Sequence, residues 1–342
     1  MYTTHMQIYL APMEGITGYV VRNAFAHHFG HIDKYFTPFI PAAKRLSRKI
    51  LRDLSPARNQ GIRLIPQLIS NRAEEVLEMI RLLKDLGFTE VNLNLGCPSG
   101  TVVSKKRGSG LLQYPEELDR FLDGVYEKAD IPVSIKTRIG FADMEEWPGL
   151  LQIYRKYPFH ELIIHPRLRS ELYKGFPHPE AFRMAYDSIL KEASPDQTVH
   201  HEIRQLCYNG DIWDMRCYED MHARFPSVET VMIGRGLLAR PYLAWQIRSE
   251  EDAVPDADIR TCTSQQMRSR LRDFCDEIYQ EYMVIFSGEK DVCMHMKEIW
   301  IHLGSSFRDS DRLVRKLMKC RTVSEYHALV SQIFDTLELT DF

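Results

Sequence analysis

Three features of the sequence have the residue types and placement to do chemistry. Cys97 follows Gly96 and precedes Pro98, in a turn that also holds Asn94. A thiol with a pKa near ~8.5 is a competent acid at neutral pH, suited to protonating a carbanion or enolate carbon. A nucleophilic role would want a partner base, for which His165 is the candidate. An inert buried thiol is the ordinary fate of an isolated cysteine. The second feature is Lys136, near His165 in the order of the chain's apolar runs. A lysine in a protein interior is costly unless it faces an anion or an electron-rich ring. Reduced flavin is such a ring, with negative charge near its pyrimidine part. Gln67 offers a donor and an acceptor to the amide edge of that ring. A salt bridge for Lys136 and a core role for His165 are the plainer alternatives. The third feature is a pair of turns, Asn209-Gly210-Asp211 and Gly234-Arg235-Gly236. Glycine lets backbone N–H groups approach an anion, and Arg235 adds a permanent charge. Either turn alone reads as a simple bend; as a pair they read as a phosphate cradle.

Residues so far apart need a scaffold that gathers them. Short β-branched or apolar runs fall at 8–13, 34–39, 63–69, 90–95, 132–138, 161–165, 205–208 and 229–233. Several are separated by segments of helical spacing, such as 73–86, where Val76, Leu77, Ile80 and Leu83 recur and Gly87 supplies a stop. Leu118, Phe121, Leu122 and Val125 repeat the pattern. Strand and helix alternate about every 30 residues, as a parallel sheet with right-handed crossovers requires. Eight such units match a (β/α)8 TIM barrel, with a doubly wound open sheet as the alternative. Barrels carry their functional groups at the C-terminal ends of the strands and often bind phosphate after the seventh and eighth. Cys97, Lys136, His165 and both glycine turns fall at such ends.

Beyond residue 245 the pattern changes. Residues 249–264 are polar, and then Met267, Leu271, Phe274, Cys275, Ile278, Tyr282 and Ile285 follow one helical face. Further helices are expected at 290–303, 309–320 and 323–337. The expected organisation is a barrel over 1–245, a linker over 246–264 and an all-helical C-terminal domain over 265–342.

Composition narrows the function class. The chain has 342 residues, 44% hydrophobic and 27% charged, which suits a globular protein and not a disordered one. A formal net charge of −3 gives no bulk signature of a nucleic-acid partner. The seven cysteines are scattered, with no pair two residues apart, so neither a zinc site nor a dithiol redox pair is expected. Their odd number fits reduced thiols in the cytoplasm. No signal peptide and no membrane span are expected; nor are a metal or an oligomer.

With these motifs in place, the chain resembles the tRNA-dihydrouridine synthases over about residues 7–245. Ala11-Pro12-Met13-Glu14-Gly15 matches that family's opening strand, and Asn94-Leu95-Gly96-Cys97-Pro98-Ser99 its active-site turn. Lys136-Thr137-Arg138, Asn209-Gly210-Asp211 and Val231-Met232-Ile233-Gly234-Arg235-Gly236 follow in the same order. The resemblance implies FMN held by Pro12, Met13, Glu14, Gln67, Lys136, Asn209, Gly210, Asp211, Gly234 and Arg235, with NADPH as reductant. It implies hydride transfer to C6 of uracil, with Cys97 protonating C5 and Asn94 helping to place the base. At the sixth strand the family's His-Gly-Arg-Thr is replaced by His165-Pro166-Arg167-Leu168. His165 and Arg167 match, as does the later Tyr173, whereas proline removes an amide N–H. His165 is kept as a cofactor contact and Arg167 as a substrate contact.

A uridine in folded RNA must be unstacked to enter a pocket, which demands a grip on the surrounding backbone. Three basic clusters offer one: Lys44, Arg45, Arg48, Lys49 and Arg52; Lys105, Lys106 and Arg107; and the six Lys/Arg residues from Arg308 to Arg321. The loop with Lys105, Lys106 and Arg107 follows the Cys97 turn and is expected to close over the substrate. The competing functions are an FMN barrel oxidoreductase acting on a small pyrimidine or enone, and a redox-inactive RNA-binding relative.

Overall fold

A computed structural model of the chain describes residues 5–191, 205–250 and 261–340. Ten strand segments, every neighbouring pair parallel, build eight staves of a barrel: β1 (Gln7–Leu10), β2 (Lys34–Phe36) continued by β3 (Ile40–Pro41), β4 (Leu64–Ile65) continued by β5 (Gln67–Ile69), β6 (Val91–Leu95), β7 (Val133–Gly140), β8 (Leu162–Leu168), β9 (Leu206–Tyr208) and β10 (Thr230–Ile233). The third stave is broken at Pro66, which has no N–H to give to a ladder. The Thr37 hydroxyl repairs the break by accepting from the Gln67 N–H at 3.0 Å. β2 pairs with β4 and β3 with β5, so the two broken staves stay together. β1 pairs with β2 on one side and β10 on the other, which closes the ring.

The crossovers are helical: α1 (Tyr19–His28), α2 (Arg48–Leu54), α3 (Ala73–Asp85), α4 (Gly100–Val103), α5 (Pro115–Tyr126), α6 (Glu146–Tyr154), α7 (Pro179–Tyr186), α8 (Met215–Arg224), α9 (Arg235–Ala239) and α10 (Leu243–Glu250). α3 buries Val76, Met79, Ile80 and Leu83. It stops at Gly87, whose φ of 91° lets the Gly87 and Phe88 N–H groups bond back to the Lys84 and Leu83 carbonyls at 2.8 and 3.0 Å. α5 starts on Pro115, with Glu116 and Glu117 in its first turn, as a helix N-terminus favours. At the N-terminal face of the barrel, Lys34 meets Glu90 at 3.0 Å and Glu161 at 3.8 Å, all three buried. Barrel residues at that end serve stability, not catalysis.

The C-terminal region is helical as expected: α11 (Ser264–Ile285), α12 (Glu289–Leu303), α13 (Asp311–Lys319) and α14 (Val323–Thr336). Thr263 with Gln266 and Thr322 with Glu325 form capping boxes that start α11 and α14. The segment read as a linker opens inside α10, and its residues 251–260 lie outside the described residues. The apolar face of α11 packs on α1, with the Phe274 ring 5.1 Å from Phe25 and 5.4 Å from Phe29. Glu277 takes one hydrogen bond from each of His27 and His28, at 2.8 Å. The Ser306 hydroxyl donates to the Ala239 carbonyl at the end of α9. Barrel and helical region therefore share one apolar core. Among the described residues no helix is long and apolar enough to cross a membrane.

Candidate active site

The C-terminal ends of the strands surround a cavity of about 830 Å³. Its first wall is built by alternation along β6. Asn92 and Asn94 point inward where Leu93 and Leu95 pack outward, the period of two that a strand imposes. The inward amides form a chain across three staves. Asn92 Nδ2 donates to Ser134 Oγ at 2.9 Å, Gln67 Nε2 to Asn92 Oδ1 at 2.8 Å, and Asn94 Nδ2 to Gln67 Oε1 at 2.7 Å. Asn94 Oδ1 then accepts the N–H groups of Gly96 and Cys97 at 3.1 and 2.8 Å. Asn94 thus fixes the cysteine turn. Its carbonyl oxygen is committed to that turn, which leaves one amide hydrogen as its remaining means of holding a substrate.

Cys97 is half-buried and lines the cavity. Ser109 holds the turn from behind, its N–H and hydroxyl both donating to the Cys97 carbonyl, at 3.1 and 2.8 Å. Gly108 packs so closely there that an added Cβ would lie 2.9 Å from the same carbonyl, and its φ is +56°. Burial pushes the Cys97 thiol up from its ordinary pKa, with Glu14 adding to the rise. A hydrogen bond with the Ser99 backbone and the charges of Arg138 and Lys136 act the other way. The thiol form is therefore favoured at neutral pH, which suits a proton donor better than a nucleophile.

Lys136 lines the same cavity from β7, and no carboxylate among the described residues pairs with it. Burial, then the Arg138 charge, pushes its pKa down to about 7. A lysine in this state gains from any negative charge placed against it. His165 is surrounded by Arg138, Lys136, Arg167 and Arg235, and burial followed by those charges holds it well below its ordinary pKa. Arg167 Nη1 lies 3.3 Å from His165 Nε2. A guanidinium only donates, so Nε2 accepts and the imidazole proton sits on Nδ1.

The far end is made by the two glycine turns. Asn209 Nδ2 donates to the Met232 carbonyl at 2.6 Å, tying the seventh stave to the eighth. An added Cβ on Gly236 would lie 1.9 Å from the Ile212 carbonyl oxygen, and one on Gly210 would lie 2.1 Å from Tyr208 Oη. At Gly236 the neighbour is backbone, so only glycine permits that approach; at Gly210 it is the Tyr208 side chain, which would have to move. Asp211 is clamped by Arg167 at 2.9 and 2.6 Å and by Arg235 at 2.8 Å. These bonds and charges hold its carboxyl below the usual range although burial opposes them. Arg235 lies over the Trp213 and Tyr173 rings at 4.7 and 4.9 Å.

Most of the expected site residues converge. Pro12, Met13 and Glu14 lie beside Gln67 and Asn94, with Cys97, Lys136 and His165 adjoining; Asn209, Gly210, Asp211, Gly234 and Arg235 complete the lining. Four do not line the cavity. Arg167, expected as a substrate contact, is buried and hydrogen-bonded to Asp211 and the Gly175 carbonyl, so it braces the cavity wall from behind. Lys106 pairs with Glu117 at 2.8 Å and Arg107 with Glu75 at 3.1 Å, while Lys105 is exposed on the same loop. Residues without an assigned role also line the cavity: Arg138, Arg169, Tyr173, Trp213 and His302. Arg138 was signalled by its spacing, two residues after Lys136 on one strand face. His302 comes from the end of α12, and no sequence pattern links that helix to the barrel mouth. No group of three or more His, Cys, Asp or Glu side chains that could hold a metal occurs among the described residues.

The profile of the family described as Dihydrouridine synthase (Dus) matches residues 9–338. A probable tRNA-dihydrouridine synthase of Staphylococcus epidermidis is 25% identical over 338 residues, 96% of this chain and 93% of that protein. Probable tRNA-dihydrouridine synthase 2 of Bacillus subtilis is 28% identical over 236 residues, 68% of this chain and 69% of its own length. Among solved structures, morphinone reductase superposes with a TM-score of 0.49 at 13% identity, covering 75% of this chain and 88% of that one.

Proposed function

Because the chain belongs to the dihydrouridine synthase family, an oxidoreductase family, we propose that it reduces particular uridines of tRNA to 5,6-dihydrouridine, with FMN in the cavity, NADPH as reductant and Cys97 as proton donor. We further propose that it works as a cytoplasmic monomer, with catalysis in 1–245, RNA contact from 265–342 and the two joined across 246–264.

The residues present fit a flavin. The unpaired, desolvated Lys136 calls for an anionic or electron-rich partner. The close-packed Gly210 and Gly236 with Arg235 suit a phosphate end. The volume falls in the range of cofactor pockets. When bound, FMN supplies the hydride, taken from NADPH, that uracil receives at C6.

The chain's own residues do the rest. Cys97 Sγ gives its proton to C5, and the charges of Arg138 and Lys136 stabilise the thiolate left behind. Asn94, itself held by Gln67, keeps the turn from drifting while the proton moves. Neutral His165 offers an Nδ1–H donor without adding charge. The single observation that carries this reading is that Cys97 and Lys136, the latter without a carboxylate partner among the described residues, line one cavity together with the two glycine turns.

Mapping dihydrouridine across tRNA from cells with and without the protein tests substrate and position together. Loss of the modification at defined positions is the expected result. An unchanged map, or purified protein that cannot be loaded with flavin, would remove the reading.

A further inference from the structure

The loop from Arg169 to His178, between β8 and α7, is braced at every corner. The Arg169 and Ser170 N–H groups donate to the Gly140 and Phe141 carbonyls, each at 2.9 Å. The Glu171 carboxylate accepts the Leu168 N–H at 2.7 Å and meets His178 Nε2 at 2.7 Å. The His178 N–H donates to the Pro166 carbonyl at 2.7 Å, and Arg167 Nη2 to the Gly175 carbonyl at 2.8 Å. Leu172 and Gly175 turn the chain through the left-handed region, with φ of 55° and 66°.

For all this bracing, the loop holds its apolar side chains in water. Leu172 is 41% exposed, Tyr173 54% and Phe176 88%, the last being the most exposed large hydrophobic among the described residues. Arg169, Leu172 and Tyr173 line the cavity, so the loop borders its mouth, with Lys174 and Phe176 following directly outside the lining. Lys174 is exposed beside Phe176 and has no acidic partner among the described residues. Contiguous exposed apolar groups mark an interaction site. Aromatic side chains interleaved with cations suit single-stranded nucleic acid, which offers base faces and phosphates in alternation. Inserting an apolar side chain between base steps is a frequent way for proteins to unstack nucleic acid.

We propose that this loop is the wedge that opens the RNA stack beside the target uridine: Phe176 occupies the place the base leaves, and Lys174 meets the adjacent phosphate. The proposal rests on the reading of the chain as a tRNA-uridine reductase. It gives the braced loop a purpose, since a soft loop would fold Phe176 away when the RNA pushed back. It also gives Arg167 a task as a positioning residue that holds Gly175 and Asp211 in register.

The test uses the full-length, FMN-loaded protein and a tRNA transcript with 2-aminopurine next to the mapped uridine. Mixing with the wild-type protein should raise the 2-aminopurine fluorescence as the stack opens. Phe176→Ala should lose most of that rise and slow single-turnover dihydrouridine formation by about tenfold. Its FMN content and its NADPH consumption with a small artificial acceptor should match wild type. Phe176→Trp should restore both the fluorescence rise and the rate. An active Phe176→Ala protein with the wild-type rise and rate would overturn the wedge alone, as would a Trp variant no better than Ala. Self-association that disappears in Phe176→Ala while the RNA signals persist would assign the tip to a second copy and also overturn it. A wild-type protein that forms no dihydrouridine would remove the underlying reading, and the wedge with it.

Discussion

A proton donor working at neutral pH must stay protonated until it is used and then leave a tolerable anion. The surroundings of Cys97 meet both conditions. Burial keeps the thiol protonated, and Arg138 and Lys136 stand near enough to favour the thiolate once it forms. Cys97→Ala is therefore expected to keep its flavin and still oxidise NADPH, while dihydrouridine formation falls by about 10²–10⁴-fold, the usual contribution of a general acid. Quantifying dihydrouridine by mass spectrometry in a single turnover checks this, and an undiminished rate would take the role from Cys97. Lys136 makes a separate prediction. In the ligand-free protein its pKa lies at about 7 against an ordinary 10.5. An anion bound against it restores the higher value, so FMN binding should take up protons, and affinity should weaken as pH rises above about 7. The stability of the ligand-free chain runs the other way. Between about 7 and 10.5 the unfolded chain binds more protons at this lysine than the folded one. Stability from this group is present above that window and is lost as pH falls through it to about 7. Lys136→Met should flatten both profiles, measured by flavin fluorescence titration and by thermal melts across pH.

At the scale of elements, the site depends on how closely two loops meet. The turn after β9 and the start of α9 come so close that a Cβ on Gly236 would sit 1.9 Å from a backbone oxygen of Ile212. Gly236→Ala must push them apart, with a cost of about 1–3 kcal/mol in stability and a larger loss in FMN affinity. Gly149→Ala, in α6 where a new Cβ meets nothing within 4 Å, is the control: it should leave FMN affinity unchanged and raise stability by up to about 1 kcal/mol, since alanine favours a helix over glycine. If both variants bind FMN like wild type, the glycine turns do not form the cofactor end. These elements were also the part of the site most legible in the sequence. The alternation of apolar runs announced the barrel, and strand ends such as Asn94, Lys136 and Asn209 fell where barrels do chemistry. What stayed hidden depended on partners distant in the chain. Arg167 matches a family motif in the sequence, but its bonds to Asp211, 44 residues on, and to the Gly175 carbonyl appear only in the fold. The ion pairs of Lys106 with Glu117 and of Arg107 with Glu75 are likewise not written in the basic run itself. His302 reaches the cavity because α12 docks on α9, a tertiary fact that no local periodicity encodes.

Over the whole molecule, one apolar core ties the helical region to the barrel, and the placement of surface charge follows from it. The Phe274 ring packs against Phe25 and Phe29 at the joint. Phe274→Ala should therefore destabilise the protein by about 3–5 kcal/mol. Release of bound flavin and loss of helical circular dichroism should still coincide in one transition; two separated transitions would show the regions to be independent. With the joint fixed, two basic surfaces keep a set position relative to the cavity. Lys44, Arg45, Arg48 and Lys49 are exposed around the start of α2, and Arg312, Lys316 and Lys319 are exposed along α13. None of these seven makes an ion pair with another described residue. The net charge of −3 hides them, because acidic residues elsewhere offset the sum without touching these faces. If they grip the RNA backbone, affinity should fall steeply with salt, by a log–log slope of about 0.7–0.9 for each phosphate neutralised. Reversing Lys44, Arg45, Arg48 and Lys49 to Glu should weaken binding and make that slope shallower by about three to four units, equally for every tRNA tested. A surface that only grips the backbone does no chemistry, so on this reading the single-turnover rate at saturating tRNA should be unchanged. Filter-binding titrations from low to moderate salt, paired with that rate, separate the two effects. An unchanged slope would exclude the α2 surface from the RNA path, and a lower rate at saturation would show that it also positions the uridine.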